Sequence, residues 1–313
     1  MRLVLFGTPA YAVPSLEALA ASRHEVALVV AQPDRAAGRS RRLMPPPVAA
    51  RARELGLDLV QPEKPNARAA RERIASCEAD LFCVVAYGHV LRERLLAVPA
   101  RGAINAHGSL LPRWRGAAPV ARAILAGDET TGVSVQVMAR EVDAGDVLLA
   151  REERVRPDDT TVSLSGRLAR LSAALLVEAA GAIESGEAHA TSQDASRVTL
   201  APKLAKREAE IDWSRPAAET ERAVRAFQPW PVAFTFVEKG GRRRRLQVLG
   251  ARVEKNAGGA GPGTVLAAGE EGLLVAAGGG ALRLTRLKPE GGKACEAAAF
   301  LRGHAVAPGE RLG

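Results

Sequence analysis

The chain has 313 residues, 47% of them hydrophobic, and a formal net charge of +9. That length suits two domains with a sizeable core in the larger one, and no apolar run approaches membrane-spanning length. Cys77, Cys83 and Cys295 form no C-x-x-C pair, which excludes a disulfide scaffold and a zinc site and fits a reducing cytoplasm.

The opening MRLVLFGTPAYAV breaks at Gly7 and Pro9, so it reads as a strand entering a turn rather than a secretory leader. Residues 2–7 predict a buried strand and 15–22 a helix. Strands follow at 25–33, 57–62, 79–88 and 102–107. The stretch 79–88 is almost wholly apolar, as a strand covered on both faces requires. Alternation of short apolar strands with helical segments predicts an α/β fold with a mostly parallel sheet.

Val133, Val135 and Val137 alternate with other residues, which predicts a half-buried strand over 131–138. Residues 146–152 can pair with it after the Asp143-Ala144-Gly145 turn. Leu164, Leu168, Leu171, Leu175, Ala179 and Ile183 share one helical face, and the helix should end near Ser185-Gly186. The texture then changes. Residues 190–206 read as a linker between a first domain, 1–189, and a second, 207–313. A helix is expected near 217–227, and strands at 232–238, 244–253, 263–268, 272–277 and 281–287, separated by Gly-rich turns. Short strands of this kind predict a small β-barrel.

The charge is uneven. Residues 190–313 hold 20 Lys+Arg against 13 Asp+Glu, and residues 1–189 hold 24 against 22. A basic second part points to a polyanionic partner such as nucleic acid.

The chemistry concentrates in NAHGSLLPRWRGAAP, residues 105–119. Side chains alternate along a strand, so Asn105 and His107 face one side. They lie at the carboxyl end of a parallel strand, where open α/β sheets bind ligands. An asparagine amide can donate to an oxygen gaining negative charge, and a histidine can move a proton near neutral pH. Asp143 is the candidate to orient His107. These three residue types suit acyl transfer to an amine through a tetrahedral intermediate. Cys83 sits in the most apolar strand and reads as inert core, so direct transfer is expected rather than a covalent acyl-enzyme. The first strand ends without G-x-G-x-x-G, which argues against a dehydrogenase. His24, His189 and His304 lie in polar stretches and read as surface; His89 borders an apolar strand.

On these residues the chain resembles the methionyl-tRNA formyltransferases. The likeness spans essentially its full length: FGTPAYAVPSLEAL (6–19), QPDRAAGRSRRLMPPPV (32–48), VVAYGHVL (84–91), the 105–119 stretch, LAKREAEIDW (204–213), RAFQPWP (225–231) and PGTVL (262–266). The resemblance implies a Rossmann-like formyltransferase domain followed by an OB-type barrel. It implies transfer of the formyl group of 10-formyltetrahydrofolate to the methionine of initiator methionyl-tRNA, with no metal. It carries catalytic roles onto Asn105, His107 and Asp143. It carries donor binding onto Ser109, Leu110, Leu111 and Pro112, and onto Tyr87 and Gly88. It carries tRNA contact onto Arg35, Arg39, Arg41 and Arg42 of a basic loop, and onto Lys203 and Lys206. The loop departs from the family at Ala36 and Ser40, and residues 140–145 depart from the commoner Gly-Leu-Asp-Thr-Gly while keeping Asp143 and Gly145. A monomer is expected, with no membrane association. The alternative is another 10-formyltetrahydrofolate enzyme with a small acceptor, which would need neither the basic loop nor the basic barrel; a non-catalytic RNA-binding protein would not need Asn105, His107 and Asp143.

Overall fold

The computed structural model describes residues 1–37, 42–255 and 259–313. They form two compact units: Met1–Pro119 with Thr130–Arg154 and Ser165–Ala201, and Val120–Glu129 with Val155–Leu164 and Pro202–Gly313.

The first unit contains strands β1 (Arg2–Gly7), β2 (Glu25–Val30), β3 (Arg35–Ala37), β4 (Arg42–Met44), β5 (Leu59–Val60), β6 (Leu81–Val85), β7 (Ala103–His107), β8 (Arg115–Gly116), β9 (Thr130–Val137), β10 (Val147–Arg154) and β11 (Leu200–Ala201). The helices are α1 (Val13–Ala20), α2 (Pro47–Glu54), α3 (Arg68–Ala75), α4 (Glu93–Leu96), α5 (Pro119–Ala126), which belongs to the second unit except for Pro119, and α6 (Thr161–Ser185), whose residues up to Leu164 belong to the second unit. The main sheet runs β10-β9-β7-β6-β1-β2-β5, parallel from β7 to β5, with β9 antiparallel to β7 and to β10. This is the mostly parallel α/β architecture expected. All of β6 is buried, as its LFCVV sequence requires. Each large aliphatic side chain so covered contributes about 1.5–3 kcal/mol relative to exposure. Helix α6 ends at Gly186, whose φ of +77° closes it where expected.

Three expectations need correction in this unit. Strand β9 is buried on both faces from Thr131 to Gln136, not half-buried. Its polar side chains do not face solvent: Ser134 Oγ donates to Ser109 O at 2.9 Å, and Gln136 Nε2 to Asp143 Oδ1 at 2.9 Å. The first part of the expected linker, 190–201, is not free chain. Thr191 bridges Val147, Gln193 bonds into the turn at Asp143, and β11 pairs in parallel with β8. His24 is also misread as surface. It is 5% exposed, beside the Met1 ammonium and Glu184, and burial pushes its imidazole below the ordinary histidine range against the opposing pull of the Glu184 carboxylate.

The second unit contains α7 (Ala217–Ala226), β12 (Phe234–Lys239), β13 (Arg242–Glu254), β14 (Val265–Gly269), β15 (Gly272–Ala277), β16 (Gly280–Pro289), β17 (Cys295–Glu296) and α8 (Ala297–Gly303). Its sheet is antiparallel, ordered β12-β13-β16-β15-β14, and curls through register shifts around Gly250 as an OB-type sheet does. A Cβ at Gly250 would lie 2.8 Å from Thr285 Oγ1, which explains glycine at the bend. Trp213, Phe227, Leu246, Val275, Leu284 and Phe300 fill the core, and Trp213 Nε1 donates to Thr235 Oγ1 at 3.0 Å. Residues 120–129 and 155–164 join this unit through Arg122 to Glu208 at 2.6 Å and Arg225 to Asp159 O at 2.8 Å. His304 is half-buried, stacked on Phe300 at 4.3 Å, rather than free at the surface; His189 is exposed as expected. Among the described residues no helix is long and apolar enough to cross a membrane.

Candidate active site

Strand β7 ends at His107, at the carboxyl edge of the parallel strands. Asn105 and His107 face one side of it, as alternation requires. The β7–β9 register sets Asn105 opposite Gln136 and His107 opposite Ser134. Asp143, in the turn between β9 and β10, reaches the same place. Its Oδ2 lies 3.5 Å from His107 Nδ1 and accepts from the Gly116 backbone N–H at 2.9 Å. Its Oδ1 accepts from Gln136 Nε2 at 2.9 Å and, more loosely, from Asn105 Nδ2 at 3.4 Å. Asp143, distant in sequence, therefore converges on the Asn105–His107 pair.

The turn is held rigidly. Asp143 has a φ of +54°, a left-handed conformation that is unfavourable for a residue with a Cβ. Gln193 Nε2 donates to both Asp143 O, at 3.0 Å, and Gly145 O, at 2.7 Å. The Arg115 guanidinium donates in turn to Gln193 Oε1 through Nε at 3.0 Å and Nη2 at 2.8 Å. Gly145 is required by close approach: a Cβ there would lie 1.8 Å from Val137 O.

His107 Nε2 lies 2.8 Å from Trp114 O. A carbonyl only accepts, so Nε2 carries a proton there. Nδ1, facing Asp143, is the nitrogen left to gain or lose one. Trp114 itself has φ +62°, and its N–H donates to Thr199 Oγ1 at 2.9 Å. The His107 and Asp143 side chains are only 7% and 11% exposed, so charges there act through little water.

The Leu-Leu-Pro corner follows. Ser109 is fully buried; its hydroxyl donates to Arg113 O at 2.6 Å, while Ser134 Oγ accepts from Leu111 N at 3.0 Å. Ser109 therefore shapes the corner, and Leu110, Leu111 and Pro112 keep part of their surface accessible. Tyr87 and Gly88 lie just beyond the carboxyl end of β6. The Tyr87 ring is 2% exposed and packs edge-on to Phe6 at 5.4 Å, so it faces the core. Burial pushes its phenol up to about 12. Its carbonyl accepts from Thr8 Oγ1 at 2.8 Å and Gln32 Nε2 at 3.0 Å. Cys83 is inert as expected, its thiol pushed up to about 12 by complete burial. Among the described residues no group of three His, Cys, Asp or Glu side chains is arranged to hold a metal ion.

Sequence reasoning missed the residues that support the site: Gln136, Gln193, Arg115, Thr199 and the Gly116 N–H. Gln136 was only partly readable, because Thr130, Thr131 and Ser134 also place polar side chains in that strand. Gln193 was not, because nothing local ties residue 193 to residue 143.

Comparison with known proteins identifies the family. Residues 1–180 match the formyl transferase family and residues 203–305 the formyl transferase C-terminal domain. The methionyl-tRNA formyltransferase of Methylococcus capsulatus is 46% identical over 313 residues, covering 100% of both chains. That of Moorella thermoacetica is 42% identical over 313 residues, covering 100% of this chain and 99% of its own.

The chain belongs to the methionyl-tRNA formyltransferase family.

Solved structures share the fold at low identity. An N-formyltransferase from Helicobacter canadensis in complex with folinic acid and dTDP-3-aminofucose superposes with TM-score 0.65 at 12% identity, over 90% of this chain and 98% of that one. HypX from Aquifex aeolicus in complex with tetrahydrofolic acid gives TM-score 0.61 at 18% identity, over 96% of this chain; this chain spans 46% of that structure.

In this methionyl-tRNA formyltransferase family member, the residues expected to meet RNA belong to both units. Arg35 is exposed on β3, reaching Gln32 Oε1 at 3.0 Å. The backbone of Arg42 pairs with Ala37 across the β3–β4 hairpin. Arg39 and Arg41 lie outside the described residues. Lys203 and Lys206 are exposed and belong to the second unit.

Proposed function

We infer that this protein transfers the formyl group of 10-formyltetrahydrofolate to the amino group of methionine on initiator methionyl-tRNA, in the cytoplasm, as a monomer. The observation that carries the chemistry is the meeting of Asn105, His107 and Asp143 at the end of β7. Full-length similarity to methionyl-tRNA formyltransferases supports the choice of acceptor.

The residues present suit a folate donor. Asn105 holds Asp143 only loosely, so its amide is available to an incoming oxygen. Leu110, Leu111 and Pro112, which follow the end of β7, supply accessible apolar surface. Asn105 donates to the formyl oxygen as the methionine amine attacks the formyl carbon, and removing such a donor costs roughly 3–4 kcal/mol of barrier. His107 takes the amine proton at Nδ1 and returns one to the departing folate nitrogen. Asp143 faces that proton and orients the ring. Attack on the free donor carbon needs no enzyme nucleophile, so no acyl-enzyme forms. Arg35, Arg39, Arg41, Arg42, Lys203 and Lys206 engage the RNA phosphates.

The test is incubation with 10-formyltetrahydrofolate and charged initiator or elongator tRNA, followed by detection of formyl-methionine. Formylation of the initiator species is the expected result. Transfer only to small amines, or none to tRNA, overturns this reading.

A further inference from the structure

Asn105 and Gln136 are cross-strand partners, so their side chains stand side by side. Both amides face one atom, Asp143 Oδ1. Gln136 Nε2 is 2.9 Å from it and Asn105 Nδ2 is 3.4 Å from it. A carboxylate oxygen only accepts, so each amide must present nitrogen there. The close bond belongs to Gln136. The other end of that amide is anomalous: Gln136 is 2% exposed, and its Oε1 has no hydrogen-bond partner among the described residues. A buried acceptor without a partner is unfavourable for folding, so stability alone favours methionine or leucine at this place.

We propose that Gln136 is a positioning residue that acts through Asn105. By supplying the donor that Asp143 Oδ1 demands, it keeps the Asn105 amide off the carboxylate and free for the oxygen that gains charge during transfer. An ionised carboxylate is the strongest acceptor in reach of Asn105. Without the Gln136 donor, Asn105 Nδ2 closes its remaining gap to Oδ1, and the site loses its oxyanion donor although every reacting side chain is still present. Gln136 bonds to Asp143 but is assigned no contact with the substrate. The inference rests on the assignment of Asn105, His107 and Asp143 as the reacting groups.

A double-mutant cycle on the full chain tests it. Gln136→Met keeps volume and removes the donor; Asn105→Ala removes the group it is said to protect; the third variant combines them. Formyl transfer to charged tRNA is followed for kcat and for both KM values, and melting temperature is read on each variant. Gln136→Met is expected to lower kcat roughly tenfold to a hundredfold, to leave each KM within about twofold, and to melt no lower than the parent. On the Asn105→Ala background the same substitution is expected to have almost no further effect. An unchanged kcat in Gln136→Met overturns the proposal. So does an equal fold-loss on both backgrounds, which marks a structural role. Full turnover by Asn105→Ala overturns the functional reading itself, a result distinct from an inactive Asn105→Ala beside a silent Gln136→Met. Gln136→Leu takes the place of the methionine variant if that one does not fold.

Discussion

The turn at Asp143 and the hairpin of β3 and β4 are both connections that charged residues mark in the sequence, yet they are held in opposite ways. At Asp143, both carboxylate oxygens and the neighbouring carbonyls are tied by Gly116, Gln136 and Gln193, and Arg115 holds Gln193 in place. The hairpin is joined by the pairs Arg35–Met44, Ala36–Leu43 and Ala37–Arg42, and it leaves Leu43 67% and Met44 51% exposed. The difference fits the roles proposed for each. Proton transfer and oxyanion binding fail when groups move by about 1 Å. Attraction to a polyanion acts over about 8 Å at physiological salt and tolerates loose geometry.

Breaking the rigid region should therefore cost more than stripping the basic one. The largest effect is expected from Gly145→Ala. Its methyl group would meet Val137 O, so the turn must move and carry Asp143 with it. Turnover should fall by roughly a hundredfold, with a lower melting temperature by calorimetry; a fully active variant would show that the turn's position is immaterial. Gln193→Leu leaves the glycine intact but releases both turn carbonyls and removes the acceptor of Arg115. About a tenfold fall in kcat is expected, with little change in the KM for tRNA. A change confined to that KM would move Gln193 from the chemistry to RNA binding.

Replacement of Arg35, Arg39, Arg41 and Arg42 by glutamine probes the other side. The KM for tRNA should rise while kcat and donor affinity hold. The slope of log affinity against log salt should become shallower by about one for each phosphate that is no longer neutralised. An unchanged slope would remove these residues from the RNA interface. The smallest effect concerns His24, which belongs to neither region. Its folded imidazole titrates below its unfolded value of about 6.5. The neutral form is favoured in the fold, so this stability is fully present above about pH 6.5. It is lost as the pH falls from there toward the folded value. Urea melts between pH 7.5 and 5 should show that loss, and His24→Asn should flatten it.

The sequence made the candidate reacting residues legible and left most of their supports hidden. Asn105 and His107 are two apart on a strand, and a period of two suffices to place them on one face. Strand β6 declared itself through five consecutive apolar residues. Asp143 could be nominated only as a carboxylate in a glycine-containing turn. The distances that bind it to His107 come from β9 and β10 folding back as a hairpin. Gln193 fell in a stretch that reads as linker because its partners lie 48 to 78 residues away, and local pattern carries no information on that pairing. His24 misled for the same reason: its neighbours in sequence are polar, but Met1 and Glu184 bury it. The second unit was legible as short strands between glycines, whereas its order, β12-β13-β16-β15-β14, required the fold.

The most direct measurement is single-turnover formyl transfer by His107→Ala with charged initiator tRNA and formyl donor both bound. The account predicts a fall in rate of at least about a hundredfold, with tRNA and donor affinities close to those of the parent. Transfer at most of the parental rate would contradict it.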